Sequence, residues 1–461
     1  MTPSPHPPTT PPRRRLTGWG RTAPTWARVH RPGSADAVGR AVGHAAADGR
    51  GVIARGLGRS YGDSAQNGGG HVVETSRLDR VLALDPAAGT VRCEAGVSLG
   101  ALMARLLPLG RWLPVVPGTR HVSVGGAIAS DVHGKNHHGA GSFCDQVLRM
   151  SLLTADGTVR EVSRDRDPAL FWATAGGMGL TGVVLEATLR LTAVESSHLV
   201  VDTERAPGLD RCLALLDAAA QAGDHTVAWI DTLARGSRFG RSVVTSGRFA
   251  TRAELPVRLA REPLAFAPRP LATVPDLIPS GLLNRGTGTA YNALRHHTAA
   301  RRRHRGLRHA GAFFHPLDGL RHWNRLYGPT GLVQYQFAVP EDRADTVAAV
   351  LDGLRRQRVP SFLAVLKRLG SGNDGHLSFP CAGWTLAFDV PARTAGLARF
   401  LDGLDAAVLD AGGRVYLTKD VRLSGTAARA MYPRLDRFRA VREAVDPERL
   451  FVSDQARRLG L

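Results

Sequence analysis

The sequence predicts an α+β protein of two domains, and three observations point there. Its 461 residues exceed what one ordinary hydrophobic core supports. Three glycine-rich turns, at 55–64, 117–129 and 175–182, fall among strand-like runs early in the chain. From Val194 onward, long amphipathic segments alternate with strand-like runs, the pattern of a β-sheet covered by helices.

Taken in order, residues 1–15 are rich in Pro and Thr and end in Arg13, Arg14 and Arg15. No apolar segment accompanies the arginines, so the stretch is expected to be a disordered tail rather than a secretory leader. A first domain is assigned to 16–195. In it, 35–48, 99–107 and 168–173 read as helices, and 51–54, 91–96, 147–153 and 183–191 read as strands. A second domain is assigned to 196–411. Its helices are expected at 209–222, 342–357 and 394–411, and its strands at 199–202, 226–230, 332–339 and 384–390. A Pro- and Arg-rich stretch of weak periodicity, 252–311, is expected to be mobile. Residues 412–461 are expected to return to the first domain.

Composition bounds the function. The net charge of +20 favours polyanions: anionic lipid, phosphorylated substrates or nucleic acid. Much of it lies in 296–309, read either as a solvated loop or as an anchor on an anionic membrane surface. No nucleic-acid motif accompanies that run, so nucleic acid is not an expected partner. No run of about eighteen apolar residues is present, so no membrane span is expected. Cys93, Cys144, Cys212 and Cys381 have no metal-type spacing and read as single reduced thiols.

The first turn, Arg55-Gly56-Leu57-Gly58-Arg59-Ser60-Tyr61-Gly62-Asp63-Ser64, alternates small and larger residues after an apolar run. Such a loop lets successive N–H groups converge on a pyrophosphate. Gly177-Met178-Gly179-Leu180-Thr181-Gly182 formally fits G-x-G-x-x-G, but a helix is expected before it and a strand after it. A dinucleotide fingerprint needs the reverse order.

With strands between them, the three turns resemble the FAD domain of the vanillyl-alcohol-oxidase/PCMH superfamily. The likeness extends to motifs outside that domain: Leu16-Thr17-Gly18-Trp19-Gly20, His133-Gly134-Lys135-Asn136, Phe314-His315-Pro316-Leu317-Asp318 and Gln334-Tyr335-Gln336-Phe337. Together they resemble the decaprenylphosphoryl-β-D-ribose 2′-oxidase family. The resemblance implies a PCMH-type FAD-binding domain plus a substrate domain. It implies FAD-dependent oxidation of the ribose 2′-hydroxyl of a polyprenylphosphoryl ribose. A partner keto-reductase then completes epimerisation to the arabinose donor for cell-wall arabinan. A peripheral place on the plasma membrane follows, with the face unassigned. Two rivals stand beside this reading: another sugar or alditol oxidase on the same fold, and a basic membrane- or nucleic-acid-associated binding protein.

By the same resemblance, FAD contacts fall on Ala54, Arg55, Gly56, Leu57, Gly58, Arg59, Ser60, Tyr61, Gly62, Asp63 and Ser64. Others fall on Gly118, Ser123, Val124, Gly125, Gly126, Ser130, Asp131, Val132, His133, Val184 and Tyr416. Many superfamily members attach flavin to a histidine in the first turn. None occurs between Arg55 and Asn67, so the FAD is expected to be non-covalent. Lys419 matches the family's active-site lysine, as a neutral base or as a cation that polarises the hydroxyl or stabilises a flavin anion. His133 is expected beside the flavin, positioning substrate or sharing in proton removal. Tyr61, Lys135, Gln334, Gln336, Lys367 and Ala387 are expected to line the substrate pocket. Gln334 and Gln336 alternate around Tyr335 and share one strand face. His133 and His137 stand four apart, but Gly134, Asn136 and Gly139 argue against a helical metal pair. Where the family commonly carries the cysteine that traps nitroaromatic suicide inhibitors, this chain has Ala387.

Overall fold

The computed structural model describes residues 11–223, 225–299 and 303–461. Ser34 caps the helix Ala35–Asp48 by accepting from the Ala37 N–H, and Gly49 at φ 65° ends it. The helix buries Val38, Val42 and Ala45 against Val52 and Val73. Those two residues belong to a four-stranded sheet ordered Arg13–Leu16, Thr25–His30, His71–Glu74, Val52–Arg55. The edge strand corrects the expected tail: Arg13–Leu16 pairs antiparallel with Thr25–His30 and buries Leu16. Its stability comes from the backbone ladder, which three consecutive arginines conceal in the sequence. Residues 1–10 lie outside the described residues.

A five-stranded antiparallel sheet follows, ordered Val81–Asp85, Thr90–Glu94, Val183–Arg190, Val147–Leu153, Val159–Ser163. Between the two sheets' elements sit the glycine-rich turns.

The largest sheet has eight strands among the described residues: His304–His309, His198–Ala206, Ser242–Phe249, His225–Ile230, Ala364–Leu369, Gly383–Pro391, Leu332–Pro340 and Arg414–Val415. Leu209–Gln221, Ala344–Arg356 and Leu397–Asp410 cover one face. Their Leu216, Leu351 and Leu401 share a core with Tyr335, Phe337, Leu366 and Phe388. Side chains one residue out of phase point to the other face, toward the glycine-rich turns.

The last part of the stretch expected to be mobile instead forms a helix and an edge strand of this sheet. Asn284 caps the helix Arg285–Thr298 through the Gly286 and Thr287 N–H groups. His304–His309 then pairs with His198–Ala206 along the edge, and Arg305 binds Asp202. Both elements are rich in Arg and His, so apolar periodicity did not reveal them. Residues 300–302 of the basic run lie outside the described residues. The C-terminal segment serves both halves. Arg414–Val415 completes the large sheet, while Phe451 bridges to Val52 in the first sheet.

Candidate active site

A cavity of about 290 Å³ lies between the glycine-rich turns and the open face of the large sheet. The first turn meets it with four successive backbone donors. The N–H groups of Leu57, Gly58, Arg59 and Ser60 donate to no acceptor among the described residues. Such a run of unpaired donors is a cradle for phosphate oxygens. A Cβ on Gly56 would stand 2.1 Å from Ser123 Oγ, so first and second turns touch where a side chain would part them. Trp19 braces the loop: its N–H donates to Ser60 O at 2.7 Å, and its ring lies 3.9 Å from the Arg59 guanidinium. In the second turn, a Cβ on Gly118 would meet nothing within 4 Å, leaving the backbone open to the cavity. Asp318 fixes that turn by accepting from Thr119 Oγ1 at 2.7 Å and the Arg120 N–H at 2.8 Å.

Of the residues expected against the cofactor, five stand away from the cavity and the others line it. Arg55 donates to the carbonyls of Thr17 and Ala65. A Cβ on Gly62 would lie 2.0 Å from Asp420 O, so that glycine serves a close backbone approach. Asp63 pairs with Arg458 at 2.9 Å. Val124 is fully buried in the apolar core. Asp131 accepts from the Cys144 N–H and from Asn373. These five brace the turns rather than face the site.

Tyr61, Lys135, Gln334, Gln336, Lys367 and Ala387 all line the cavity. Cross-strand register explains why they meet. Gln334 lies opposite Asp389, Gln336 opposite Ala387, and Lys367 opposite Thr385, so all project from one sheet face. The glutamines are nearly buried, at 5% and 4% exposure, which excludes a solvent-facing edge. Asp389 was not anticipated, although the same period of two from Ala387 places it on that face. Its carboxylate accepts from Gln334 and receives Tyr327 OH at 3.5 Å. Burial pushes it up to about 7, with Gln334, Lys419 and Tyr327 opposing.

Lys419 sits in a tight turn, its N–H donating to Tyr416 O at 2.9 Å. The adjacent Asp420 does not pair with it. That carboxylate holds the Arg422 and Leu423 N–H groups and Arg458. Lys419 Nζ therefore projects into the cavity, 3.9 Å above the centre of the Tyr61 ring. Burial lowers its amine to about 7, Lys367 adding to the effect and Asp389 opposing it. Burial likewise lowers Lys367 to about 8, and Lys135 to about 7 with its cationic neighbours. Of the 60 lysines and arginines in the chain, three are lysines, and all three line this cavity. A guanidinium stays charged at any working pH, whereas a buried ammonium can give up its proton.

His133 also lines the cavity, outside the single helical turn His137–Ala140. Its Nε2 lies 3.0 Å from the Gln336 amide nitrogen, whose donor role makes Nε2 the acceptor and puts the proton on Nδ1. Burial, then Lys367, His137 and Lys419, holds it well below the usual imidazole range. His133 is a neutral group here. Tyr416 packs beside it and donates its OH to Ser130 O at 2.7 Å.

A phosphate cradle facing a lysine-lined sheet defines an FAD-dependent oxidoreductase, and the comparisons bear directly on that class. Residues 26–163 match the family described as FAD binding domain, and 388–459 match D-arabinono-1,4-lactone oxidase. The unpaired donors and open glycines of the turns fit FAD, which is the cofactor. The chain belongs to the decaprenylphosphoryl-β-D-ribose oxidase family. It is 44% identical to that enzyme of Mycolicibacterium smegmatis over 97% of this chain and 98% of the relative. It is also similar to an L-gulono-1,4-lactone dehydrogenase of Mycobacterium tuberculosis, at 23% over 94% of this chain and 95% of the relative. An L-gulonolactone oxidase of Bos taurus is 30% identical over 40% of this chain and 41% of the relative.

Proposed function

We propose that the protein oxidises the 2′-hydroxyl of decaprenylphosphoryl-β-D-ribose, or a polyprenyl homologue, to the 2′-keto product. The observation that carries this reading is Lys419, held over Tyr61 in a cavity shared by the phosphate cradle and the sheet face. Bound FAD supplies the acceptor for the hydride leaving the carbinol carbon. The loops at 56–61 and 118–126 would hold its phosphates, and Val184 and Tyr416 would line its place. Neutral Lys419 takes the hydroxyl proton on Nζ, since an amine near 7 is matched to that task. His133, far less basic, offers its Nδ1–H as a donor that orients the sugar. Lys135 and Lys367 present cationic groups to the phosphodiester, and an arriving anion raises both toward their ordinary range. A keto-reductase partner would then complete the epimerisation.

The match to lactone oxidases favours one other reading, a neutral sugar or alditol substrate on the same fold. Anaerobic bleaching of the flavin separates them. Polyprenylphosphoryl ribose should bleach it, while free ribose and xylitol should not. Bleaching by the neutral sugars alone refutes the proposal.

The polyprenyl tail suggests a place on the membrane surface. No helix among the described residues is long and apolar enough to cross a bilayer. Support for peripheral attachment comes from Leu271, Leu277 and Leu294, exposed at 90%, 88% and 64%, within a strongly basic stretch. Co-sedimentation with anionic vesicles should weaken with salt. A residue of binding in high salt should disappear in Leu271→Ser/Leu277→Ser. No sedimentation at low salt would refute attachment.

A further inference from the structure

A second cavity, of about 240 Å³, lies where three elements end. These are the loop after strand His225–Ile230, the start of helix Arg285–Thr298 and the end of helix Ala344–Arg356. Six arginines converge on it. Arg241 pairs with Asp231, itself 3% exposed, and Arg355 pairs with Asp352. Arg235, Arg238, Arg285 and Arg358 have no carboxylate partner among the described residues.

Two features go beyond an arginine-rich composition. Arg358 follows the helix Ala344–Arg356 in the left-handed region, at φ 54°, a position that favours glycine. An arginine rather than a glycine takes that helix-ending position, and its guanidinium lines the basin. Arg285 opens the helix Arg285–Thr298, where an acidic residue would match the positive end of the helix, and that first turn holds no acid. The positive helix end and the unpaired guanidinia thus reinforce one another. Guanidinium forks bind phosphate oxygens in pairs.

We propose that this basin binds a multiply charged phosphoryl group, either as free diphosphate in solution or as the phosphomonoester headgroup of an anionic lipid. Among the described residues no aromatic side chain lines it to stack a base, so it suits a phosphoryl group and not a nucleotide. The site is separate from the flavin cavity and shares no lining residue with it.

Calorimetry on the flavin-loaded, full-length protein at low salt tests the first source, with inorganic pyrophosphate as probe. Loading with FAD keeps the catalytic cradle from competing. Sedimentation with phosphatidylcholine vesicles, with and without phosphatidic acid, tests the second. Arg238→Ser and Arg358→Gly should each weaken binding about tenfold, the loss of one charge-assisted pair. Arg358→Gly should at the same time raise Tm, because glycine accepts the left-handed backbone, so its lost binding is not lost folding. Variant-sensitive binding of pyrophosphate assigns a free diphosphate. A variant-sensitive gain confined to phosphatidic acid vesicles assigns the lipid headgroup. Binding unchanged in both variants, or absent in both arms, overturns the proposal.

Discussion

At the residue scale, the proposed chemistry rests on Lys419. Lys419→Ala should retain FAD yet slow flavin reduction by about 10²–10⁴-fold, the usual cost of one positioned proton acceptor. Reduction by the intact enzyme should rise with pH through an inflection near 7, since the amine acts only when deprotonated. Asp389→Asn removes the anion that favours the charged amine, so the inflection should move to lower pH. Stopped-flow bleaching reads all three effects. Ala387 makes a separate prediction. It faces the cavity opposite Gln336, and a methyl offers no nucleophile. The enzyme should therefore resist covalent inactivation by nitroaromatics, while Ala387→Cys should gain stoichiometric, time-dependent inactivation with most turnover kept. Intact-mass spectrometry decides, and an adduct on unmodified protein at Cys381 would contradict it. Gln334 and Gln336 were legible in sequence because a strand has a fixed period of two. The same period put Asp389 on that face, but its hydrogen-bond partners come from across the ladder and no local pattern records them.

At the scale of elements, legibility followed apolar periodicity. The helices Ala35–Asp48 and Leu209–Gln221 and the strand Leu332–Pro340 all display it. Arg13–Leu16 and His304–His309 do not, since their support is pairing with a neighbour and their side chains are polar. A pH response is built into the first sheet. His30 Nε2 and His71 Nδ1 lie 2.8 Å apart, His71 Nε2 lies 2.8 Å from Asp48, and His44 packs against both rings. Burial, then His71 and His44, lowers His30 to about 4. An unfolded histidine titrates near 6.5. Between those values the unfolded chain binds the extra proton, so stability should fall as pH drops from about 6.5 to about 4. Thermal melts across that window should show the decline, and His30→Gln should flatten it.

For the whole molecule, the cofactor's mode of attachment can be read from the first turn. That loop holds no histidine between Arg55 and Asn67, and the cysteines lie outside the cavity lining. Acid precipitation should leave a colourless pellet and a yellow supernatant. Colour retained in the pellet would mean a covalent bond from elsewhere in the cavity. The cavity itself has no single owner in the sequence. Its walls come from the N-terminal motif, three glycine turns, the large sheet and the turn at Lys419, joined by Arg458 bridging Asp63 and Asp420. That assembly brings motifs scattered from Trp19 to Arg458 to one place.

The scarcity of lysine has a preparative consequence. Because every lysine amine opens into the catalytic cavity, the outer surface offers amine-directed reagents no lysine at all. Acylating probes, bifunctional crosslinkers and amine-coupling supports are thereby steered to the chain's α-amino group or to the active site. Near neutral pH the cavity amines, lowered to about 7 and about 8, are partly deprotonated and so open to such reagents. An ordinary acylating reagent thus labels the α-amino group and the cavity lysines, and bound substrate should shield only the lysines.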